Sequence, residues 1–202
     1  PKECLTEEQY NRPYTSIHSF GDTYGEHKEF LEFSIEQWKD LYDYAKEIDV
    51  SLFASVFDIS SARKMNDVGM DIFKIGSGEV TSLELLEEVS SYDKKIILST
   101  GMSTLDEIDQ AYNILKKNNL VLMHCTSAYP CDEKDVNLRG LLTLSERYKV
   151  PVGLSGHYMQ GSGAIESAAV AMGATWFERH FTLDRAMKGT DQVASLEDAG
   201  LI

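Results

Sequence analysis

One pattern repeated along this chain constrains its fold more than any other feature. A short apolar run gives way to a small polar cluster and then to a stretch with helical periodicity. The runs lie at residues 51–56, 72–76, 95–99, 120–125, 151–155 and 175–180. They are nearly all apolar and rich in β-branched and aromatic residues, as strands buried on both faces must be. Helical stretches fall between them at 60–68, 82–91, 104–118, 135–148 and 161–172, and another, at 34–47, precedes the first run. Ser103-Thr104-Leu105-Asp106-Glu107 has the composition of a helix start, with acids in the first turn. Gly69 and Gly173 stand where helices end. No low-complexity linker divides the sequence, so residues 1–202 are expected to form one domain.

Repeated β-α units build either a doubly wound sheet or a (β/α)8 TIM barrel. The doubly wound, dinucleotide-binding reading needs a glycine-rich turn after the first strand, and that turn is Phe57-Asp58-Ile59-Ser60. A barrel builds its active site from the C-terminal ends of its strands, so useful polar residues are expected there. They are present: Ser55; Lys74, Ser77 and Glu79; Ser99 and Thr100; His124, Thr126, Ser127 and Tyr129; Ser155 and His157; Glu178 and His180. The pattern favours the TIM barrel. With about six units the first two strands are missing, so the chain reads as a segment of a longer protein.

The 202 residues hold 33 Asp and Glu against 19 Lys and Arg, a formal charge of −14. Such a surface repels nucleic acid and anionic lipid, so a negatively charged substrate needs a local positive site. No run approaches the roughly 18 apolar residues of a membrane span, and Pro1-Lys2-Glu3 has no signal-peptide pattern. Cys4, Cys125 and Cys131 lack metal-ligand spacing and read as reduced thiols of a cytoplasmic protein. The first 33 residues, with Asn11-Arg12-Pro13-Tyr14 and the segment from Ser19 to Gly25, show no period. A long aperiodic loop rich in aromatics is expected to serve as an active-site lid or a dimer contact.

His157 and His180 end neighbouring strands, so their imidazoles would share one mouth. Two histidines with positions left for water or substrate oxygen suit Mn²⁺ or Zn²⁺, while the plainer reading is two hydrogen-bonded histidines in a polar crevice. His124, after Leu120-Val121-Leu122-Met123, is either a third such residue or a satisfied core histidine. Lys74 lies inside Ile72-Phe73-Lys74-Ile75-Gly76, and a buried ammonium needs a counter-charge or a bound anion. Among the hydroxyls of Ser77, Ser99, Thr100, Ser127 and Ser155 it reads as a phosphate or carboxylate cradle. Its rivals are a Schiff-base lysine of an aldolase and an ion pair with Glu79. Glu79, after Gly76-Ser77-Gly78, either faces a ligand or caps the helix beginning near Ser82. Asp191 sits in a polar loop that turn chemistry alone explains. Glu84, Glu87 and Glu88 read as a solvated helix face, and Cys131 as a loop residue without an activating partner.

Several ordered motifs together resemble the N-acetylneuraminate (sialic acid) synthase family over about three quarters of the chain. They are Phe-Lys-Ile-Gly-Ser-Gly-Glu at 73–79, Ile-Leu-Ser-Thr-Gly-Met-Ser-Thr at 97–104, and His-Cys-Thr-Ser-Ala-Tyr-Pro at 124–130. Further along come Asp-Val-Asn-Leu-Arg at 135–139, Pro-Val-Gly-Leu-Ser-Gly-His at 151–157 and Glu-Arg-His-Phe-Thr-Leu-Asp-Arg at 178–185. Gly189-Thr190-Asp191 and Ala194-Ser195-Leu196-Glu197 complete the set.

The resemblance implies a TIM barrel that condenses phosphoenolpyruvate with N-acetylmannosamine or a related sugar, giving phosphate and a nonulosonic acid. It implies a divalent metal on His157 and His180, Mn²⁺ first, with Mg²⁺ or Co²⁺ as alternatives. Ser55, Lys74, Ser77, Ser99, Ser127 and Ser155 would surround phosphoenolpyruvate. Glu79, Tyr129 and Asp191 would place the amino sugar, and Glu79, His157 and His180 form the expected catalytic set.

The chain departs from the usual pattern at Gly156, where Asp is usual, and at Ser55 (Thr), Val56 (Pro) and Ser127 (Asn). The Gly156 change removes a carboxylate beside a metal ligand and puts the sugar preference in doubt. Family members also carry two earlier strands with an acidic residue, a Lys and a Gln. A C-terminal antifreeze-like domain gives an Arg to the neighbouring subunit of a homodimer. The segment alone is therefore expected to be weakly active or inactive. A lysine-dependent aldolase, another phosphoenolpyruvate-condensing synthase and a non-catalytic sugar-binding relic stay open as alternatives.

Overall fold

The computed structural model describes residues 3–159 and 163–201. Pro1 and Lys2 of the start read above, and Gly161 of the last helix candidate, lie outside them. Six strands, β1 (Ala54–Ser55), β2 (Ile72–Ile75), β3 (Lys95–Ser99), β4 (Asn119–Cys125), β5 (Val152–Gly156) and β6 (Trp176–Arg179), form one sheet in sequence order. Every neighbouring pair is parallel. The helices are α1 (Glu7–Asn11), α2 (Tyr24–Leu31), α3 (Ile35–Glu47), α4 (Ile59–Val68), α5 (Leu83–Ser90), α6 (Leu105–Leu115), α7 (Arg139–Tyr148), α8 (Ala164–Ala171) and α9 (Asp198–Leu201). Helices α4 to α8 connect successive strands, and the result is a curled half-barrel. None of the helices is long and apolar enough to cross a membrane among the described residues.

Alternation along each strand divides the sheet into two faces. On one, Phe73, Ile75, Ile96, Leu98, Leu120, Leu122, Val152 and Leu154 pack under the helices and form the main core. The helices present residues at i, i+3 and i+4 spacing to it: Leu85, Leu86 and Val89 from α5, Ile108, Ala111 and Leu115 from α6, Leu141, Leu144 and Tyr148 from α7. On the other face Ile97, Val121 and Met123, with Phe53, Ile72 and Trp176, make a small inner cluster. Registered neighbours share a face, so Ser55, Lys74 and Ile97 lie in one row, and Cys125, Ser155 and Glu178 in another.

The strands fall close to the apolar runs, with β1 shortened to two residues where it pairs on one side only. Helix ends follow the caps. Thr104 forms a capping box with Glu107, and Gly69 ends α4 at φ 97°. Helix α7 begins later than its apolar pattern, at Arg139, after a 3-10 turn at Glu133–Asp135.

The first 33 residues correct the aperiodic reading. They contain α1 and α2, each opened by a capping box, Thr6 with Gln9 and Thr23 with Glu26. α1 is a five-residue helix that buries no residue, and α2 buries only Gly25 and His27, so neither shows an apolar stripe and the caps were their signal. This segment touches both ends of the sheet. Cys4 Sγ donates to Asp58 Oδ2 (3.4 Å) beyond β1, and Gly189 N donates to His18 Nδ1 (3.3 Å) beyond β6.

Glu84 and Glu87 are exposed, but Glu88 corrects the solvated-face reading. It accepts two bonds from Arg63 (2.9 and 2.8 Å) and one from Tyr92 (2.9 Å). Asp109 on α6 likewise takes a two-pronged contact from Arg147 and a bond from the Tyr148 hydroxyl (2.8 Å). Both carboxyls are held down to about 2, mainly by the facing guanidinium. A carboxyl with a pKa lower folded than unfolded stabilises above its unfolded value, near 4, and loses that contribution as pH falls through the folded value. A Glu88→Gln/Asp109→Asn variant should therefore melt below wild type at about pH 7, and the gap should close by about pH 2. Circular dichroism melts across this range check it, and a gap independent of pH would contradict it.

Candidate active site

The inner face becomes polar toward the C-terminal ends of the strands. Lys74 is 6% exposed, and its Nζ donates to Ser99 Oγ (2.7 Å) and to the Ile75 carbonyl (3.4 Å). Its counter-charge comes from β6: Glu178 Oε2 lies 3.5 Å from Nζ, while Glu178 Oε1 accepts from Ser155 Oγ (2.6 Å). The ion-pair partner is therefore Glu178, not Glu79. Glu79 accepts from the Ser82 hydroxyl (2.6 Å) ahead of α5 and, with Ser55, Phe57 and Asp58, lines a groove of ≈ 730 Å³ beside β1. Ser77 and Ser127 meet around Gly101. Gly101 N donates to Ser77 Oγ (3.0 Å), and a Cβ there would lie 2.2 Å from Ser127 Oγ. Thr100 turns away, donating to the Met123 carbonyl (3.0 Å).

His157 and His180 follow β5 and β6 on the same inward parity. Their ring centroids are 5.4 Å apart and nearly perpendicular. The Tyr129 ring lies 5.4 Å from His157 and 4.7 Å from His180, and its hydroxyl donates to the Asp191 carbonyl (2.9 Å). Asp191 Oδ2 is 3.6 Å from His180 Nδ1, so the polar-loop carboxylate belongs to this cluster. A carbonyl can only accept, so His157 Nδ1, 3.1 Å from the Thr126 carbonyl, carries the proton and Nε2 keeps its lone pair. Contact with Cys125 raises His157, against the opposing effect of burial. His180 is lowered by burial, which its neighbour Asp191 opposes.

These donors fit a divalent cation in an open site. Two imidazoles from adjacent strands lie with ring centroids 5.4 Å apart, one with its tautomer fixed by a carbonyl and the other facing a carboxylate. Among the described residues no group of three or more His, Cys, Asp or Glu side chains is gathered for a metal, which leaves further positions to water or substrate oxygen.

Sequence reasoning underused two residues. Cys125 points inward, its Sγ 3.9 Å from both nitrogens of His157. Burial, the largest single effect, works to raise this thiol, but the contact and charge of His157 together with hydrogen bonds from Ser155 and Ser77 outweigh it and the net effect is downward. Glu178 shares that parity. Counting alternate positions back from His157 and His180 finds Ser155 and Glu178, and register adds Cys125. His124 has the opposite parity: its Nε2 donates to the Val136 carbonyl (2.7 Å) and its ring packs on Gly140, so it is a core histidine. Gly156 also faces outward, where a Cβ would lie 2.8 Å from Tyr158 Cε1 and 2.9 Å from Arg179 Cδ. A carboxylate there would face Arg179 rather than the mouth.

Comparison with known proteins matches the model of the NeuB family to residues 1–202. The chain belongs to the NeuB family. It is 42% identical over 193 residues to the N-acetylneuraminate-9-phosphate synthase of Mus musculus, covering 94% of this chain and 53% of that protein. It is 40% identical over 202 residues to the N,N'-diacetyllegionaminic acid synthase of Campylobacter jejuni, covering 97% and 60%. Among solved structures, the sialic acid synthetase of Leptospira borgpetersenii, crystallised with citrate, superposes with a TM-score of 0.83 at 33% identity, over 90% of this chain and 65% of that one. This NeuB-family chain thus spans about half the length of the curated relatives it matches.

Lys74 and Glu178 make an asymmetric pair. Lys74→Met removes the buried charge and keeps the apolar stem, so stability should change little. Glu178→Leu strands the ammonium on one hydroxyl and a carbonyl, and should cost about 1–3 kcal/mol. Urea unfolding of both variants checks this, and equal losses would contradict it.

Proposed function

We propose that this chain carries the metal-, phosphoenolpyruvate- and sugar-binding part of a synthase. The enzyme would join phosphoenolpyruvate to N-acetylmannosamine or a related N-acyl sugar, releasing phosphate and a nonulosonic acid. The observation that carries the reading is one inner face on which the Lys74–Ser99 and Ser155–Glu178 group, the His157–His180 pair and Tyr129–Asp191 lie on the same side.

Lys74, Ser99 and Ser155, with Ser55, Ser77 and Ser127, bind the phosphate and carboxylate of phosphoenolpyruvate. An arriving anion takes the place of Glu178 as the nearest counter-charge of Lys74, which matters on a chain of formal charge −14. Tyr129, Asp191 and Glu79 orient the sugar. His157 and His180 would hold Mn²⁺, which as a Lewis acid polarises the open-chain aldehyde. As C3 of phosphoenolpyruvate bonds to the aldehyde carbon, the aldehyde oxygen gains a proton. Water then adds at C2 and gives up a proton that balances the one taken by the aldehyde oxygen. The C2–oxygen bond to phosphate breaks, and C2 becomes a ketone as its new hydroxyl loses its proton to the departing phosphate. Holding both substrates in one mouth supplies the proximity contribution, and the Lys74 cradle stabilises the departing phosphate. Three free cysteines fit a reducing, cytoplasmic setting. The assembly expected of the whole protein is a homodimer.

Phosphate release from phosphoenolpyruvate, measured on the full-length protein with N-acetylmannosamine and with its 6-phosphate, tests this reading. Release should require Mn²⁺, stop with EDTA and disappear in His157→Ala. Release indifferent to EDTA, or none with any N-acyl sugar, overturns it. Borohydride in the presence of pyruvate should leave Lys74 unmodified; a reduced adduct on Lys74 would favour the Schiff-base aldolase.

A further inference from the structure

On the helix side of the sheet, directly behind the histidine pair, three side chains without a role in the proposed chemistry are locked together. Tyr158 follows His157 and is 1% exposed; its hydroxyl donates to Glu166 Oε1 of α8 (2.6 Å). Arg179 precedes His180. One of its nitrogens donates to the same Glu166 oxygen, and another to the Tyr158 carbonyl (2.9 Å). Its guanidinium carbon lies 4.2 Å from the centroid of the Tyr158 ring. The cluster fills the space that a side chain at Gly156 would need.

Stability alone does not account for this arrangement. Apolar packing on the same face serves α5, α6 and α7, and a buried ion pair is generally no more stabilising than well-packed apolar groups. Glu166 Oε2 is moreover buried without a hydrogen-bond partner among the described residues, a cost that packing would avoid. What apolar side chains cannot supply is the directional bond from Arg179 to the Tyr158 carbonyl. It joins the residue after one histidine to the residue before the other, just beyond the last ladder pair, Gly156 with Arg179.

We propose that the Tyr158–Glu166–Arg179 cluster is a positioning device that sets the separation and angle of His157 and His180 for a divalent cation. The carboxylate of α8 fixes the guanidinium, the guanidinium fixes the end of β5 to the end of β6, and the two imidazoles project from the opposite face. This inference rests on reading the histidine pair as a metal site. Groups hydrogen-bonded directly to metal ligands commonly change affinity about 10–100-fold when altered; this cluster acts one step further back, through the backbone, so a smaller loss in the same direction is expected.

The test is Mn²⁺ affinity of the full-length protein, read without turnover from the electron paramagnetic resonance signal of free Mn²⁺. Glu166→Gln should weaken binding by up to about 10-fold, and Tyr158→Phe, which removes one hydroxyl, should weaken it in the same direction. Asp109→Asn, which breaks the Arg147 pair between α6 and α7, is the control. It should lower the melting temperature and leave Mn²⁺ affinity unchanged. Wild-type affinity in both Glu166→Gln and Tyr158→Phe overturns the inference, whatever their melting temperatures. If Glu166→Gln does not fold, Tyr158→Phe decides alone. Failure of the wild-type protein to bind Mn²⁺ is a different result: it overturns the metal reading, and this inference falls with it.

Discussion

An ammonium held inside a parallel sheet must have a matching charge or a bound anion, and the curl of this sheet is what lets Lys74 meet that requirement. Its carboxylate partner lies four strands away, and only because the sheet curls does β6 come within reach of β2. In a flat sheet strands are about 4.8 Å apart, far too widely spaced for a contact of 3.5 Å across four of them. The Lys74–Glu178 contact is thus both a product of the barrel curvature and the chemical centre of its mouth. Ser99 and Ser155 complete it by occupying the remaining hydrogen-bonding positions.

The same curvature gathers residues that are distant in sequence. Tyr129, His157, His180 and Asp191 come from three loops, yet their rings and carboxylate lie within a few ångströms of one another. Residues 3–33 complement this arrangement. They reach from Asp58 beyond β1 to Gly189 beyond β6, the two ends of a sheet that is open among the described residues. Open edges of parallel strands are unusual in isolation. The Leptospira structure, of which this chain covers 65%, has further polypeptide to which such edges could be matched.

Much of this was legible beforehand because the two periods differ so clearly. Runs of Ile, Val and Leu such as 95–99 and 120–125 have few alternatives to a buried strand, and the helix ends at Thr104 and Gly69 follow from cap chemistry. What remained hidden was mostly a matter of distance and parity. The pairing of Lys74 with Glu178 depends on closure across four strands, which no local window records, so the nearby Glu79 was the partner that the sequence offered. His124 could have been assigned by parity with Leu120 and Leu122, and Gly156 likewise. Helices α1 and α2 escaped because neither buries an apolar stripe, α1 burying nothing and α2 only Gly25 and His27, although Thr6 with Gln9 and Thr23 with Glu26 had the spacing of capping boxes.

On this inner face a cation between His157 and His180 and an anion on Lys74 would lie side by side. A crystal structure of the full-length protein soaked with Mn²⁺ and phosphoenolpyruvate, with anomalous data collected at the manganese edge, tests it most directly. One strong anomalous peak is expected within bonding distance of the Nε2 atoms of both histidines, with phosphoenolpyruvate oxygens on Lys74 and Ser99. A peak elsewhere, or phosphoenolpyruvate bound away from Lys74 while Glu178 keeps its place, would contradict it.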